Sequence, residues 1–177
     1  MKVKICLDPG HGGNDTGAEG PTGLEEANTV LTLSLMLADV LTDQGFDVKL
    51  TRETDVFIEL GKRCAIANDW EADYFISVHL NSNGSTAVGI ETLYTSESGQ
   101  DLAIPIQDCL IEGTGDTDRG IKERDDLYVL NGTDCPAVLL ELGFISHPET
   151  EEKLRSKDYQ RLLVECVALG IREYLEL

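Results

Sequence analysis

Apolar positions along the chain fall into short strand-length runs and longer stretches of helical spacing, and these alternate from one end to the other. Val3 to Leu7 is a β-prone run that stops at the turn signal Asp8-Pro9-Gly10. From Leu24 to about Leu41, the residues Val30, Leu33, Leu37, Val40 and Leu41 share one helical face, and Gly45 follows as a helix stop. Phe46 to Leu50 alternates as a strand. Glu59 to about Asn68 reads as a helix with Leu60, Cys64 and Ala67 on one side, and Tyr74 to Val78 as a buried strand running directly into His79. Gly89 to Tyr94 predicts a further strand, Gln100 to Ile111 a helix, and the polar, glycine-rich stretch Glu112 to Gly120 a loop. Leu127 to Leu130 reads as a short strand or turn edge, and Ala137 to Leu142 as a strand. Pro148 opens a polar segment, and Tyr159 to Leu175 closes the chain as an amphipathic helix with Leu163, Val167, Ile171 and Tyr174 aligned. This alternation predicts an α/β fold: one domain over residues 1–177, with a central, mostly parallel twisted sheet of about six strands and helices on both faces.

In open α/β sheets ligands bind beyond the carboxyl ends of the strands. Three segments carry polar groups there: Asp8 to Gly13, Ser77 to Ser82, and Leu140 to Gly143. The chain has three histidines, and two of them, His11 and His79, directly follow a predicted strand. Imidazole is the commonest zinc ligand and acid–base group. Gly10, Gly12 and Gly13 around His11 permit close approach of a ligand to the backbone, although an exposed turn histidine fits the same residues. Ser77, Asn81 and Ser82 suit a wet cleft beside His79 better than a core, and Asn81 is a candidate substrate contact. Glu141 interrupts an otherwise apolar run, and a glutamate is almost never buried without a partner. It is either ion-paired with Arg119 or Arg124, or a general base whose proton affinity is raised by apolar surroundings; its place at the same sheet edge favours the base. Glu25 and Glu26 open the first long helix. Acids there complement the helix dipole, and either could also complete a metal site. His147 reads as a surface or capping residue.

Composition narrows the choices. With 177 residues, 41% of them hydrophobic, the chain can bury one sizeable core. A formal net charge of -19 repels phosphate backbones and anionic lipid, which argues against nucleic acid and membrane as partners. The five cysteines are scattered without a CxxC pair; Cys6, Cys64, Cys109 and Cys166 sit in apolar patterns as small core residues, which argues against a disulfide framework and a thiolate zinc site. No apolar run is long enough to span a bilayer, and none precedes the first strand as a signal region. The expectation is synthesis in the cytosol, with any export by another route. Two histidines and a carboxylate make a known catalytic zinc arrangement, and a base such as Glu141 would complete a hydrolase site. The ligands come from separate elements, so local spacing alone does not establish the site.

Several motifs occur in a recognisable order. They are Asp8-Pro9-Gly10-His11-Gly12-Gly13, Gly23-Leu24-Glu25-Glu26, Leu50-Thr51-Arg52, Arg63 to Asn68, Phe75 to Asn81, Asp118-Arg119-Gly120-Ile121-Lys122, and Pro136 to Phe144. Together they resemble the zinc-dependent N-acetylmuramoyl-L-alanine amidases of the Amidase_3 type, found in bacterial autolysins and phage endolysins, over essentially the whole chain. The resemblance implies one zinc ion per chain held by His11, Glu26 and His79, with Glu141 as the catalytic glutamate. Glu26 is preferred to Glu25 because the Gly-Leu-x-Glu pattern places the ligand there. The implied substrate is peptidoglycan, cleaved between the lactyl group of N-acetylmuramic acid and L-alanine, with the enzyme reaching the wall after release or export. A monomer is compatible with all of this. Competing readings are a zinc amidohydrolase acting on another acylated peptide, a catalytically silent wall-binding module, and a glycine-rich phosphate cradle. The last lacks the P-loop lysine.

Overall fold

The computed structural model describes residues 2–177. Its elements in chain order are β1 (Lys4–Pro9), α1 (Glu26–Asp43), β2 (Asp47–Leu50), α2 (Leu60–Asp69), β3 (Tyr74–Asn81) and β4 (Ile90–Tyr94). They continue with α3 (Glu97–Thr114), β5 (Asp118–Glu123), α4 (Tyr128–Asn131), β6 (Ala137–Phe144), α5 (Pro148–Arg155) and α6 (Lys157–Tyr174). The strands form one six-stranded sheet in the order β2-β1-β3-β6-β4-β5. β2, β1, β3 and β6 are parallel; β4 runs antiparallel to β6, and β5 lies parallel to β4. The mostly parallel α/β fold expected from the apolar pattern is the observed one.

Side chains alternate across a strand, so each strand feeds two cores. Ile5, Leu7, Ile76, Val78, Val138 and Leu140 face α1, α3 and α6, where Leu33, Leu37, Leu102, Ile106, Val164 and Val167 meet them. Cys6, Phe75, Ala137 and Leu139 face the other way, against Cys64 and Ala67 of α2 and Val129 and Leu130 of α4. Each fully buried Leu, Ile or Phe contributes about 1.5–3 kcal/mol by leaving water, which is why strands buried on both faces read as continuous apolar runs. The cysteines are all free; four are buried in these cores and Cys135 is half-buried.

From β1 the chain crosses to β2 through α1 on one face and returns to β3 through α2 on the other. The two crossovers part at the carboxyl ends of β1 and β3, the place where such sheets leave a crevice.

Two expectations need correction. The stretch Glu112 to Gly120 is not one loop: α3 runs to Thr114, capped by left-handed Gly115, and Asp118–Glu123 forms the edge strand β5. An exposed edge strand of mostly charged residues carries no apolar alternation to reveal it. Leu127 to Leu130 contains no strand; Tyr128–Asn131 is a single helical turn that tucks Val129 and Leu130 into the second core. The polar segment that Pro148 opens is, as expected from a turn before a helix, helix α5, with Pro148 at its start, acids in the first turn and Lys153 and Arg155 in the last.

Candidate metal centre and active site

β1 ends at Pro9 and the chain turns through Gly10 into His11, whose backbone is left-handed at φ 58°. That conformation is strained for any residue but glycine, so its surroundings must hold it. Two buried arginines do so. Arg52 donates from Nη2 to the carbonyls of Gly10 at 2.7 Å and Ala27 at 2.8 Å, and from Nε to that of Pro9 at 3.0 Å. Arg63 donates from Nη1 to the Pro9 carbonyl at 2.6 Å and from Nη2 to that of His11 at 2.7 Å. Its Nη1 also pairs with buried Asp8 at 2.8 Å, and Asp8 accepts from Thr51 Oγ1 at 2.6 Å and Ser77 Oγ at 2.8 Å. Every carbonyl from Pro9 to His11 therefore has a donor, and the turn is clamped.

The His11 ring is oriented from behind. Its Nδ1 lies 2.9 Å from Asp15 Oδ2, and Asp15 is itself fixed by the Gly17 amide, which donates to Oδ1 at 3.1 Å. This leaves Nε2 facing forward, 3.2 Å from Glu26 Oε1. His79 Nδ1 lies 3.1 Å from the same oxygen. Glu26 sits in the first turn of α1 with 3% exposure, so it is not a solvated dipole acid. The Leu80 amide donates to its Oε1 and the Ala18 amide to its Oε2, both at 2.9 Å. Glu25 instead accepts from Asn28, which separates the two acids that the sequence left open. His11, Glu26 and His79 offer ligand atoms within 4.8 Å of one another, close enough to hold one metal ion.

Glycine is required here by space. A Cβ on Gly10 would lie 2.2 Å from the His79 ring, and one on Gly17 would lie 2.7 Å from both Glu26 Oε2 and the His11 ring. The donor set of two imidazoles and one carboxylate, tightly packed and backed by further hydrogen bonds, fits a zinc ion.

Charge follows the geometry. Hydrogen bonding to Glu26 raises His11 to about 9 against the opposing effect of burial, with Asp15 adding to the rise. Burial would push Glu26 up, but hydrogen bonds from His11 and His79 outweigh it and hold the carboxyl well below its usual range. A metal ion held by His11 would compete with a proton for the same nitrogen.

Glu141 lies beside His79 in the register of β3 and β6. Its Oε2 is buried without a hydrogen-bond partner. Arg119 donates to Glu91 at 2.6 Å and Arg124 to Asp126 at 2.8 Å, so the ion pair considered for Glu141 is not formed. Burial pushes its carboxyl up to about 7. Asn81 is tied into the same row: its Nδ2 donates to Glu91 Oε1 at 3.1 Å and its Oδ1 accepts the Ser82 amide at 2.9 Å. His147 stands at the N-cap position of α5, its side chain making no capping hydrogen bond.

A cleft of about 470 Å³ opens over His11 and His79, walled by Asp15, Phe57, Leu60 and Tyr128. A smaller cavity of about 180 Å³ lies beneath α5 and α6 and shares none of these residues. Four supporting residues were missed as functional positions: Asp15, Arg52, Arg63 and Glu151. Buried Glu151 accepts from the amides of Thr22 and Leu24, pinning the loop that delivers Glu26. Its one sequence signal is the helical spacing to buried Leu154. Arg63 similarly falls beside Cys64 and Ala67 on the buried side of α2.

An α/β sheet with a His-Glu-His cluster at its strand ends that could hold a metal ion, beside a half-buried glutamate, is an arrangement suited to hydrolysis. The family model for N-acetylmuramoyl-L-alanine amidase of the Amidase_3 type matches residues 5–173, and the chain belongs to that family. It is 35% identical to the sporulation-specific N-acetylmuramoyl-L-alanine amidase of Bacillus subtilis (strain 168), over 99% of this chain and 69% of that protein. It is also 37% identical to the endolysin of Bacillus phage SPP1, covering 100% of this chain and 68% of that protein. The crystal structure of N-acetylmuramoyl-L-alanine amidase from Clostridium difficile 630 superposes with a TM-score of 0.95 at 36% identity, covering 99% of this chain and 97% of that one.

Proposed function

We propose that this chain hydrolyses the amide between the lactyl group of N-acetylmuramic acid and the L-alanine of the peptidoglycan stem. His11, Glu26 and His79 would hold one zinc ion, and Glu141 would carry the proton. The observation that supports this most directly is the convergence of His11 Nε2 and His79 Nδ1 on one oxygen of Glu26, next to half-buried Glu141, whose buried Oε2 has no hydrogen-bond partner among the described residues. When bound, zinc supplies Lewis acidity, polarising the scissile carbonyl and making water at the site more acidic.

The remaining work falls to the chain itself. Asp15 holds the His11 ring by Nδ1, so that Nε2 is presented to the metal. The Leu80 and Ala18 amides hold both oxygens of Glu26. Glu141, pushed up to about 7 by burial, can accept a proton from the attacking water and return it to the departing alanine nitrogen near neutral pH. Phe57, Leu60 and Tyr128 provide an apolar wall against which the substrate packs and from which water is displaced. Asn81, at the end of β3, is a substrate contact at the rim. Peptidoglycan is the partner. The acidic surface disfavours nucleic acid, and no helix among the described residues is long and apolar enough to cross a membrane. The site of action is the cell wall.

The test is digestion of purified peptidoglycan by the zinc-loaded protein, scored for new alanine amino termini and new reducing sugar ends. The first should rise and the second should not. Glu141→Ala should abolish the release while zinc content stays near one per chain. Simple peptides cleaved as fast as the wall, or full activity in that variant, would defeat the proposal.

A further inference from the structure

The segment Arg119 to Arg124 holds Arg119, Lys122 and Arg124, three of the 14 lysines and arginines in a chain of net charge -19. Arg119 and Lys122 both bind one oxygen of Glu91, at 2.6 and 2.5 Å. Glu91 is buried, so a single carboxylate faces two cations and leaves one positive charge uncompensated. Both cationic side chains remain partly open to solvent, at 34% and 41%. Arg119 is held in place: its guanidinium lies over the Phe144 ring at 4.8 Å, and its stem crosses Gly89, where a Cβ would come within 2.9 Å. It donates from Nε to Glu91 and from Nη1 to the Val88 carbonyl, leaving Nη2 without a protein partner among the described residues.

The position of this pair relative to the metal cluster gives it a meaning. His79, Glu141 and Glu91 are lateral neighbours across β3, β6 and β4, and β5 lies next outward with its two cations on Glu91. At about 4.8 Å per strand, the cations stand on the order of 10 Å from the His79 position, on the far side of Glu141. If Glu141 protonates the leaving nitrogen, the peptide departs towards that side. Measured from Glu141, the cations on Glu91 are only about one strand spacing away, ~5 Å, and an extended peptide advances about 3.3–3.6 Å per residue, so an acidic group one or two residues beyond the scissile nitrogen reaches them.

We infer that Arg119 and Lys122 form a subsite for a free carboxylate on the peptide side of the substrate, one residue beyond the alanine, and that this subsite discriminates acid from amide at that position. The inference rests on the proposed amidase reading. Glu91 then acts as the anchor of the subsite, drawing both cations onto itself, keeping them away from Glu141 and aimed at incoming carboxylate. Arg offers a two-pronged donor and Lys a point charge, a combination suited to one carboxylate.

The test uses the zinc-loaded protein with L-alanyl-D-glutamate whose γ-carboxyl is blocked as its N-methylamide, with the α-carboxyl either free or amidated, measured by calorimetric titration. In parallel, the two corresponding N-acetylmuramoyl dipeptides are measured for turnover. The acid should bind about tenfold more tightly than the amide, and kcat/KM should show the same preference. In Lys122→Gln, where Arg119 still covers Glu91, both preferences should fall towards unity, whereas Lys122→Arg should retain them. Arg119→Lys, which keeps the charge without the fork, should give an intermediate ratio. Raised salt should weaken acid binding and leave amide binding little changed. Equal binding of acid and amide with normal turnover would overturn the subsite and leave the amidase reading standing. A clear acid preference without turnover of either substrate would defeat the amidase reading and leave the subsite. Unaltered preference in Lys122→Gln would reassign both cations to holding the edge strand.

Discussion

Glu141 makes two separable contributions, and Glu141→Gln distinguishes them. The carboxyl titrates at about 7 in the fold against an ordinary 4.5, because burial disfavours its charged form. At about 1.4 kcal/mol per tenfold change in acidity, that difference corresponds to about 3 kcal/mol. The sign follows from proton uptake. The folded chain holds this proton more tightly than the unfolded chain, so Glu141 costs no stability well below pH 4.5, and the cost grows as pH rises until it saturates above about 7. Glutamine has nearly the same shape and no charge. Whatever its amide gains or loses by burial is the same at each pH, and only the charge cost varies. In chelator-treated protein, Glu141→Gln should therefore gain about 2.5 kcal/mol relative to wild type on moving from about pH 5 to about pH 8.5. For a chain of this size that is a relative rise in Tm of roughly 5–10 °C. The assay is paired urea or thermal unfolding of both proteins at the two pH values. The same variant should lose turnover by a factor of about 10²–10⁴, as expected on removal of a positioned general base. A stability difference that does not change with pH would refute the claim that the surroundings of Glu141, with its Oε2 buried, disfavour its charged form, whatever the activity shows.

Two other substitutions test the metal cluster without relying on turnover. Asp15→Ala removes the group that holds His11 Nδ1 and should weaken zinc binding about 10–100-fold, measured by competition with a chromophoric chelator; unchanged affinity would show that the ring needs no such support. Gly10→Ala places a methyl 2.2 Å from the His79 ring and should displace it, lowering zinc content after dialysis, while Gly61→Ala, whose Cβ would meet nothing nearer than Tyr128 at 3.5 Å, controls for the loss of a glycine.

The fold was legible in the sequence wherever burial imposed a period. The strands that became β1, β3 and β6 are buried on both faces and read as continuous apolar runs, and α1 and α6 bury one face each and repeat at helical spacing. β5 escaped notice because it is mostly exposed and charged, so its geometry is set by its neighbour and not by an apolar period. His11, His79 and Glu141 stood out for the same reason: polar residues placed where the pattern demanded apolar ones. Their separation along the chain carried no information about distance in space.

Bringing them together was left to tertiary structure. Parallel pairing sets His79 beside Glu141, and the parting of the two crossovers opens the crevice at the ends of β1 and β3. The first turn of α1 carries Glu26 into it while Glu25 turns to Asn28. Arg52, Arg63 and Glu151 reach the site from distant segments to fix its loops. Local pattern records how much of a residue is buried and on which face. It does not record which partner lies across the gap, and a metal centre consists of such long-range pairings.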